Sequence, residues 1–218
     1  MEGEQDMAQR MAFWAAIGCT LFSGAYVVLQ LFEWLGLLGS AGGPESPSSA
    51  TGLAMLLTPS LLLGSAFLIL TAALHQVAPV ERRAFSQAAL GFATVYATLI
   101  SMVYFTQLTL VAPRMAAHDV AGIEPFLFVP YRTFLFAVDL LGYSMMSLAT
   151  LFSAFALPVG PHARKARAAM IANGLLLPFL ALQMYWPGLI WGGALWGITF
   201  PAAMILLAVL MGGHRTAK

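Results

Sequence analysis

The charged residues of this chain fall in a few short clusters that are separated by long apolar runs. The longest run extends from Ala168 to Gly213 and contains no Asp, Glu, Lys or Arg. A hydrocarbon core about 30 Å thick is crossed by roughly 20 apolar helical residues. Only 9% of the 218 residues are charged, whereas 60% are hydrophobic. The sequence therefore predicts an all-α, multi-pass membrane protein, with one transmembrane domain over 1–218 and the lipid bilayer as its surroundings.

Charged residues, prolines and glycines divide the chain into six predicted transmembrane helices. Their approximate bounds are 11–38, 53–77, 84–112, 131–157, 168–186 and 190–211. The last two are separated because one helix over the whole apolar run would be about 69 Å long, roughly twice the core thickness. Trp186, Pro187 and Gly188 form the predicted turn between them. The fold that we expect is a bundle of six transmembrane helices.

The basic residues near the helix ends predict the orientation of this bundle. With the N-terminus in the cytoplasm, two basic residues, Arg114 and Arg132, lie outside and eight lie inside. The eight are Arg10, Arg82, Arg83, Arg164, Lys165, Arg167, Arg215 and Lys218. We therefore expect a cell (bacterial inner) membrane protein with both termini in the cytoplasm. The net charge of +1 and the lack of a long basic block argue against nucleic acid as a partner.

Asp139 is the residue that most strongly indicates a function. It lies about 12 Å inside the predicted fourth helix, where an ionised carboxylate is costly. Arg132 lies seven residues earlier on the same predicted face, and Tyr143, Ser147 and Thr150 continue that face. This polar stripe must face protein or water. Asp139 is then either a hydrogen-bonded or ion-paired residue that fixes helix packing, or part of a site for a ligand, a proton or a cation.

Other polar side chains in the outer half of the membrane can share a site with Asp139. They are Glu33 in the first predicted helix, Tyr104 and Gln107 in the third, and Gln183 in the fifth. Glu33 is close enough to the interface that reaching water is the alternative interpretation. Thr94, Thr98 and Ser101 form a second polar stripe with Tyr104, which predicts a polar seam or outward-opening cavity between the third and fourth helices. Hydrogen bonds within their own helix are the alternative for these hydroxyls.

Two further segments predict close packing or an interface. The outer-loop segment 126–129, Phe-Leu-Phe-Val, is too apolar for water and predicts an interfacial segment or a lid over a cavity. The sixth predicted helix opens with two overlapping small-residue patterns that allow close backbone approach. Their glycines are Gly188, Gly192, Gly193 and Gly197. These glycines predict tight packing against the fifth helix, a second copy of the chain or another subunit.

The sequence lacks the residues that several kinds of membrane-protein chemistry require. All four histidines fall at helix ends or in loops, so no intramembrane pair offers axial ligation to a haem. No predicted helix contains a lysine for a retinal Schiff base, and no HExxH motif is present for a metalloprotease. The sequence therefore assigns no catalytic residue, predicts no metal site and identifies no cofactor, and we expect a chain that is not an enzyme.

The leading hypothesis is a membrane protein that binds a small, partly apolar molecule in an outward-facing pocket, for transport or sensing. Asp139, Tyr143, Tyr104 and Gln107 line the predicted pocket, Arg132 supplies a counter-charge, and Glu33 and Gln183 are further ligand-binding candidates. The alternative is an accessory or assembly subunit of a larger membrane complex. A weaker alternative is an intramembrane enzyme that acts on lipid, with Asp139 and Glu33 as acid and base.

Overall fold

The computed structural model describes residues 2–213. The helices are α1 (Glu2–Trp34), α2 (Ala50–Val77), α3 (Arg83–Thr106), α4 (Ala112–Ala116), α5 (Phe134–Ala156), α6 (Pro161–Gly174), α7 (Leu177–Ala181), α8 (Ile190–Gly193) and α9 (Trp196–Gly213). A π-helical turn, Gln107–Val111, joins α3 to α4, and short 3₁₀ turns cover Val80–Arg82, Glu124–Phe126 and Pro187–Leu189. No strand occurs within 2–213, which confirms the all-helical prediction for that part of the chain.

Five of the helical stretches are long and apolar enough to cross a membrane. They are Gly3–Trp34, Ala50–Val77, Val80–Ala116, Phe134–Ala156 and Pro187–Gly213. The third stretch runs through α3, the π-helical turn and α4, and the fifth runs through α8 and α9. The first four predicted spans and the sixth thus correspond to long apolar helices. The fifth, predicted over 168–186, does not.

The helix predicted over 168–186 is broken because of Pro178. Proline has no amide hydrogen, and its ring clashes with the carbonyl four residues earlier, here that of Gly174, where α6 ends. The chain takes a tighter turn instead. The Leu176 amide donates to the Asn173 carbonyl at 3.1 Å, and the Phe179 amide donates to the Leu176 carbonyl at 3.0 Å. Two shorter helices, α6 and α7, result.

The helices pack in chain order around a closed ring. α1 contacts α2, α2 contacts α3, α3 contacts α5, α5 contacts α6, α6 contacts α9, and α9 returns to α1, while α7 packs on α5. Successive neighbours run antiparallel: Glu33 at the end of α1 lies against Gly52 at the start of α2, and Tyr104 at the end of α3 is hydrogen-bonded to Tyr143 in the first half of α5. The connections 78–82 and 157–160 therefore lie at one end of the ring. The connections 35–49, 117–133 and 182–189 lie at the other end, which we call the loop end.

Close approach between α5 and α6 depends on Gly174. A Cβ atom built at this position would lie 2.6 Å from the Cβ of Leu151, 3.0 Å from its Cα and 3.1 Å from the carbonyl oxygen of Ser147. Two of these three atoms belong to the backbone of α5, so a side chain at Gly174 cannot be accommodated by a rotamer change alone.

We expect Gly174→Ala to lower the thermal unfolding temperature of the detergent-solubilised protein, because overpacking of this kind costs about 1–3 kcal/mol. Gly91→Ala is the matched control, since Gly91 lies in α3 with open space around a built Cβ. Alanine favours a helix over glycine by about 0.5–1 kcal/mol, so the control should keep or raise the unfolding temperature. A Gly174→Ala protein that unfolds at the wild-type temperature contradicts the close approach.

Candidate ligand-binding cavity

A cavity of about 400 Å³ lies at the loop end of the ring. Its walls come from α1, α2, α3, α5, α7, α8 and α9, and residues of the connections 35–49 and 117–133 complete them. Most of the lining side chains are apolar or aromatic, as in sites for small organic molecules, which typically measure about 300–1,000 Å³. None of the Lys, Arg or His residues within 2–213 lines the cavity.

Asp139 of α5 lines this cavity and is 8% exposed. Its Oδ1 atom has no hydrogen-bond partner among the described residues. The side chain of Tyr104 lies beside this carboxyl group, and the Tyr104 hydroxyl donates to the Tyr143 hydroxyl at 3.2 Å. Tyr143, Ser147 and Thr150 are buried together with Asp139. The polar stripe of α5 therefore faces protein, and its carboxylate faces a cavity rather than a basic side chain.

Glu33 of α1 supplies a second carboxylate and is 3% exposed, so the interpretation that it reaches water is wrong. The connection 35–49 folds back over the end of α1 and covers it. The Ser40 hydroxyl donates to the Glu33 carbonyl at 3.1 Å, and the Gly43 amide donates to the Trp34 carbonyl at 2.8 Å. Neither carboxylate oxygen of Glu33 has a hydrogen-bond partner within the described chain.

The Glu33 carboxylate lies against the first turn of α2. A Cβ atom built on Gly52 would lie 2.7 Å from Glu33 Oε2, so a larger residue at this position would displace the carboxylate. Ser49 caps this helix, and its hydroxyl accepts the Gly52 amide at 2.9 Å. The amino-terminal end of a helix carries a partial positive charge that favours a nearby carboxylate. α2 thus stabilises Glu33 without providing a direct hydrogen bond.

Three aromatic rings from three helices meet in the wall of the cavity. The ring centroid of Trp196 lies 5.9 Å from that of Tyr26 and 5.3 Å from that of Tyr143, both in edge-to-face geometry. The Tyr26 hydroxyl donates to Gln30 Oε1 at 2.8 Å. Trp196 Nε1 is buried without a hydrogen-bond partner among the residues described. This part of the wall is therefore aromatic, and it contains one buried N–H donor without a partner.

The structure brings five of the seven predicted ligand-binding residues to this cavity, namely Asp139, Tyr143, Tyr104, Glu33 and Gln183. Arg132 does not line it. α5 begins at Phe134, so Arg132 precedes the helix, is exposed and does not share a helix face with Asp139. Gln107 is buried outside the lining, and its Nε2 atom donates to the Phe126 carbonyl at 2.7 Å. Gln107 thus holds the connection 117–133 in place.

Gln183 ties the loop end to α7. Its Nε2 atom donates to the Phe179 carbonyl at 3.1 Å, and its Oε1 atom accepts from the Tyr131 hydroxyl at 3.5 Å. Burial, together with the nearby Glu45 carboxylate, raises the pKa of Tyr131 to about 12. The Tyr131 hydroxyl therefore stays protonated at neutral pH and remains a donor to Gln183.

The second polar stripe does not form a seam between helices. Thr94 and Thr98 are exposed on α3, and their hydroxyls donate to the carbonyls of Leu90 and Thr94 at 2.9 and 2.8 Å. Hydroxyls that bond to their own helix in this way need no partner elsewhere. Within this stripe Tyr104 is the member that is buried and reaches the cavity.

The apolar segment 126–129 folds over the loop end. Phe128 lines the cavity, and its ring centroid lies 5.4 Å from that of Phe136 in α5. Pro130, just after the segment, also lines the cavity. Of the two interpretations offered for this segment, the structure favours a cover over a cavity.

Three of the four glycines of the small-residue patterns contact the chain itself. A Cβ built on Gly192 would overlap the ring of Phe179, one on Gly193 would lie 2.9 Å from Gln183 Nε2, and one on Gly197 would lie 3.2 Å from Val27. Gly188 has open space around its Cβ position. The close packing expected of these glycines therefore occurs against α7, the segment after it, and α1.

The sequence reasoning missed two polar or aromatic lining residues of α1 and one of α9. Tyr26 and Gln30 precede Glu33 by seven and three residues, which places all three on one face of α1. These residues form a polar stripe like that of α5, and this stripe is the sequence pattern that would have predicted Tyr26 and Gln30 as lining residues. Trp196 carries no comparable signal, because it lies inside a long apolar run.

Comparison of the chain with protein-family models, with curated proteins and with solved structures finds no match. No group of three or more His, Cys, Asp or Glu side chains that could hold a metal ion occurs within 2–213. The fold and the cavity define a structural class, namely a helical bundle with a ligand-sized cavity at one end that is lined by aromatic and acidic side chains. Any more specific function has to be argued from the cavity itself.

The contact between Gly52 and Glu33 can be tested by a double-mutant cycle. We expect the unfolding free-energy changes of Gly52→Ala and Glu33→Ala to be non-additive by about 0.5 kcal/mol or more, because the three atoms nearest the added methyl group all belong to the Glu33 carboxyl group. Gly24→Ala, which has open space around its Cβ, should be additive with Glu33→Ala. Unfolding of the four proteins in detergent measures both cycles, and additivity in the Gly52 cycle contradicts the contact.

Proposed function

We propose that this chain is a polytopic membrane protein that binds a small, partly apolar molecule in an outward-facing cavity, for transport or sensing. The observation that carries the proposal is the cavity at the loop end, where the buried carboxylates of Asp139 and Glu33 lie without a basic partner. Residues that only fix helix packing normally have their polar atoms satisfied, since an unpartnered buried carboxylate is costly. A bound ligand accounts for this arrangement.

The outer surface of the helices supports insertion in a membrane. Large apolar side chains such as Trp14, Leu21 and Val209 are more than 60% exposed. Lipid tails accept such side chains, whereas a water-soluble monomer rarely exposes them in large contiguous patches. Tyr185 and Trp186 are also exposed, and they lie at the loop end, where an aromatic belt would meet the membrane interface.

A sixth crossing is supported by the position of α6 and α7. Together with the turn between them they extend from Pro161 to Ala181, which is about 31 Å at the rise of a helix and matches the hydrocarbon core. They occupy the place between α5 and α9 in the ring. Arg82, Arg83 and the basic residues of α6 lie at the end opposite the cavity, which favours an outward-facing cavity. Arg215 and Lys218 lie outside the described residues.

The sixth crossing can be tested with single cysteines at Gly160 and Gly188, which bracket α6 and α7 and have open space around their Cβ positions. The background is Cys19→Ala, because Cys19 is the one cysteine of the chain. In intact cells we expect a membrane-impermeant maleimide to label Gly188→Cys and to label Gly160→Cys only after permeabilisation. Equal labelling of the two proteins in intact cells means that this segment does not cross the membrane.

The binding proposal is tested by native mass spectrometry of the protein extracted from its own membrane in a mild detergent. We expect a discrete extra mass of small-molecule size, and we expect Asp139→Asn to reduce its occupancy roughly tenfold or more, because a hydrogen bond to a charged group is lost. The control is Glu124→Gln, which removes an exposed carboxylate of the 117–133 connection that does not line the cavity.

Two results would contradict the proposal. One is an extra mass with the same occupancy in Asp139→Asn as in the wild type. The other is a stoichiometric second polypeptide in place of any small molecule, which would favour an accessory subunit. Equal expression and unfolding temperature of the Asn variant show that any loss of binding does not come from misfolding.

A further inference from the structure

We infer that the ligand of this cavity is an organic cation, namely an ammonium group that carries apolar substituents. This inference rests on the proposed function and names the chemical class of ligand for the same site. It is argued from the charge of the cavity, from its aromatic wall and from what the remaining lining residues exclude.

The cavity contains two carboxyl groups and no basic group. Asp139 and Glu33 are both more than nine-tenths buried, and three of their four carboxyl oxygens have no hydrogen-bond partner in the described chain. The Lys, Arg and His residues of 2–213 all lie outside the lining. A carboxylate held away from water requires a positive charge or a set of donors, and otherwise it takes up a proton. The chain provides neither in full, and a cationic ligand would supply the positive charge that lets these groups ionise.

The aromatic wall favours an ammonium over a metal ion. Tyr26, Tyr143 and Trp196 surround the space next to Asp139 with tyrosine and indole rings, which attract cations through their π systems. An inorganic cation would instead need about six oxygen ligands at short range. The lining offers two carboxylates among mostly apolar groups, which suits a cation that brings its own hydrocarbon.

The rest of the lining selects against ligands that also carry an anion. Leu53, Leu56, Leu57 and Leu140 line the cavity and accept hydrocarbon substituents. A phosphate or a carboxylate on the ligand would need a basic side chain or a free helix amino-terminus, and the cavity places Glu33 at the amino-terminal turn of α2. The lining therefore favours a lipophilic monoamine or quaternary ammonium over zwitterionic lipid headgroups and amino acids.

The test compares two probes of the same shape on the full-length protein in lipid nanodiscs. Benzyltrimethylammonium carries the positive charge, and neopentylbenzene has a carbon atom in place of the nitrogen. Isothermal titration calorimetry measures binding of both, with empty nanodiscs as the measure of partitioning into lipid. We expect the cation to bind at least tenfold more tightly than its neutral isostere. We also expect Asp139→Asn and Glu33→Gln each to weaken the cation roughly tenfold and to leave the neutral probe unchanged.

Glu124→Gln is the matched control, because it removes an exposed carboxylate outside the cavity and should change nothing. Equal affinity for the two probes, failure of the cation to bind, or unchanged cation binding in both amide variants overturns the inference. In each of these cases a small-molecule adduct in native mass spectrometry leaves the proposed function standing, whereas its absence removes the proposed function as well.

Discussion

The cost of keeping a carboxylate away from water governs how the loop end of this bundle is built. Glu33 is covered by the folded-back connection 35–49, and it lies against the amino-terminal turn of α2, whose partial charge favours it. Asp139 lies beside Tyr104, whose hydroxyl is in turn bonded to Tyr143. The start of α2, the path of the connection 35–49 and the position of the tyrosines together form the surroundings of these two carboxyl groups. No basic side chain of 2–213 lines the cavity beside them.

Side chains of different size occupy the two halves of the ring. In the half of α1 away from the loop end, Ala12, Ala16 and Cys19 are fully buried, and α1 packs against α2 and α9. Gly174 allows a similar close approach between α5 and α6. At the loop end Tyr26, Tyr143 and Trp196 line the cavity, and the break before Pro178 turns the chain into α7. Large rings that meet edge to face hold the helices of the loop end apart, which leaves room for the cavity.

The helices were predictable because their signal is local: apolar runs of sufficient length between charged clusters, as for α2, predicted at 53–77 and observed as Ala50–Val77. The burial of Asp139 was predictable for the same reason. Two features depend on backbone conformation that no periodic pattern encodes. Glu33 is buried because the connection 35–49 folds back over the end of α1, and Arg132 lies before α5, between Tyr131 with a positive φ of 60° and the extended Thr133. The helix break, by contrast, follows from Pro178, which is a local signal. The polar stripe of Tyr26, Gln30 and Glu33 on α1 is a local pattern, and it could have been predicted from the sequence.

The two carboxylates lie on α1 and α5, which the ring separates by α2 and α3 on one side and by α6 and α9 on the other. If both groups are ionised, their like charges repel each other, because a cavity of low dielectric screens them less than water does. This repulsion would favour a wider cavity. A cation between the carboxylates would attract both of them and favour a narrower one. Because α1 and α5 continue as unbroken helices to the end of the ring opposite the loop end, a change in their separation at the loop end would be transmitted along both helices. The same two residues that select a cationic ligand would thus couple its binding to helix movement, which both transport and sensing require.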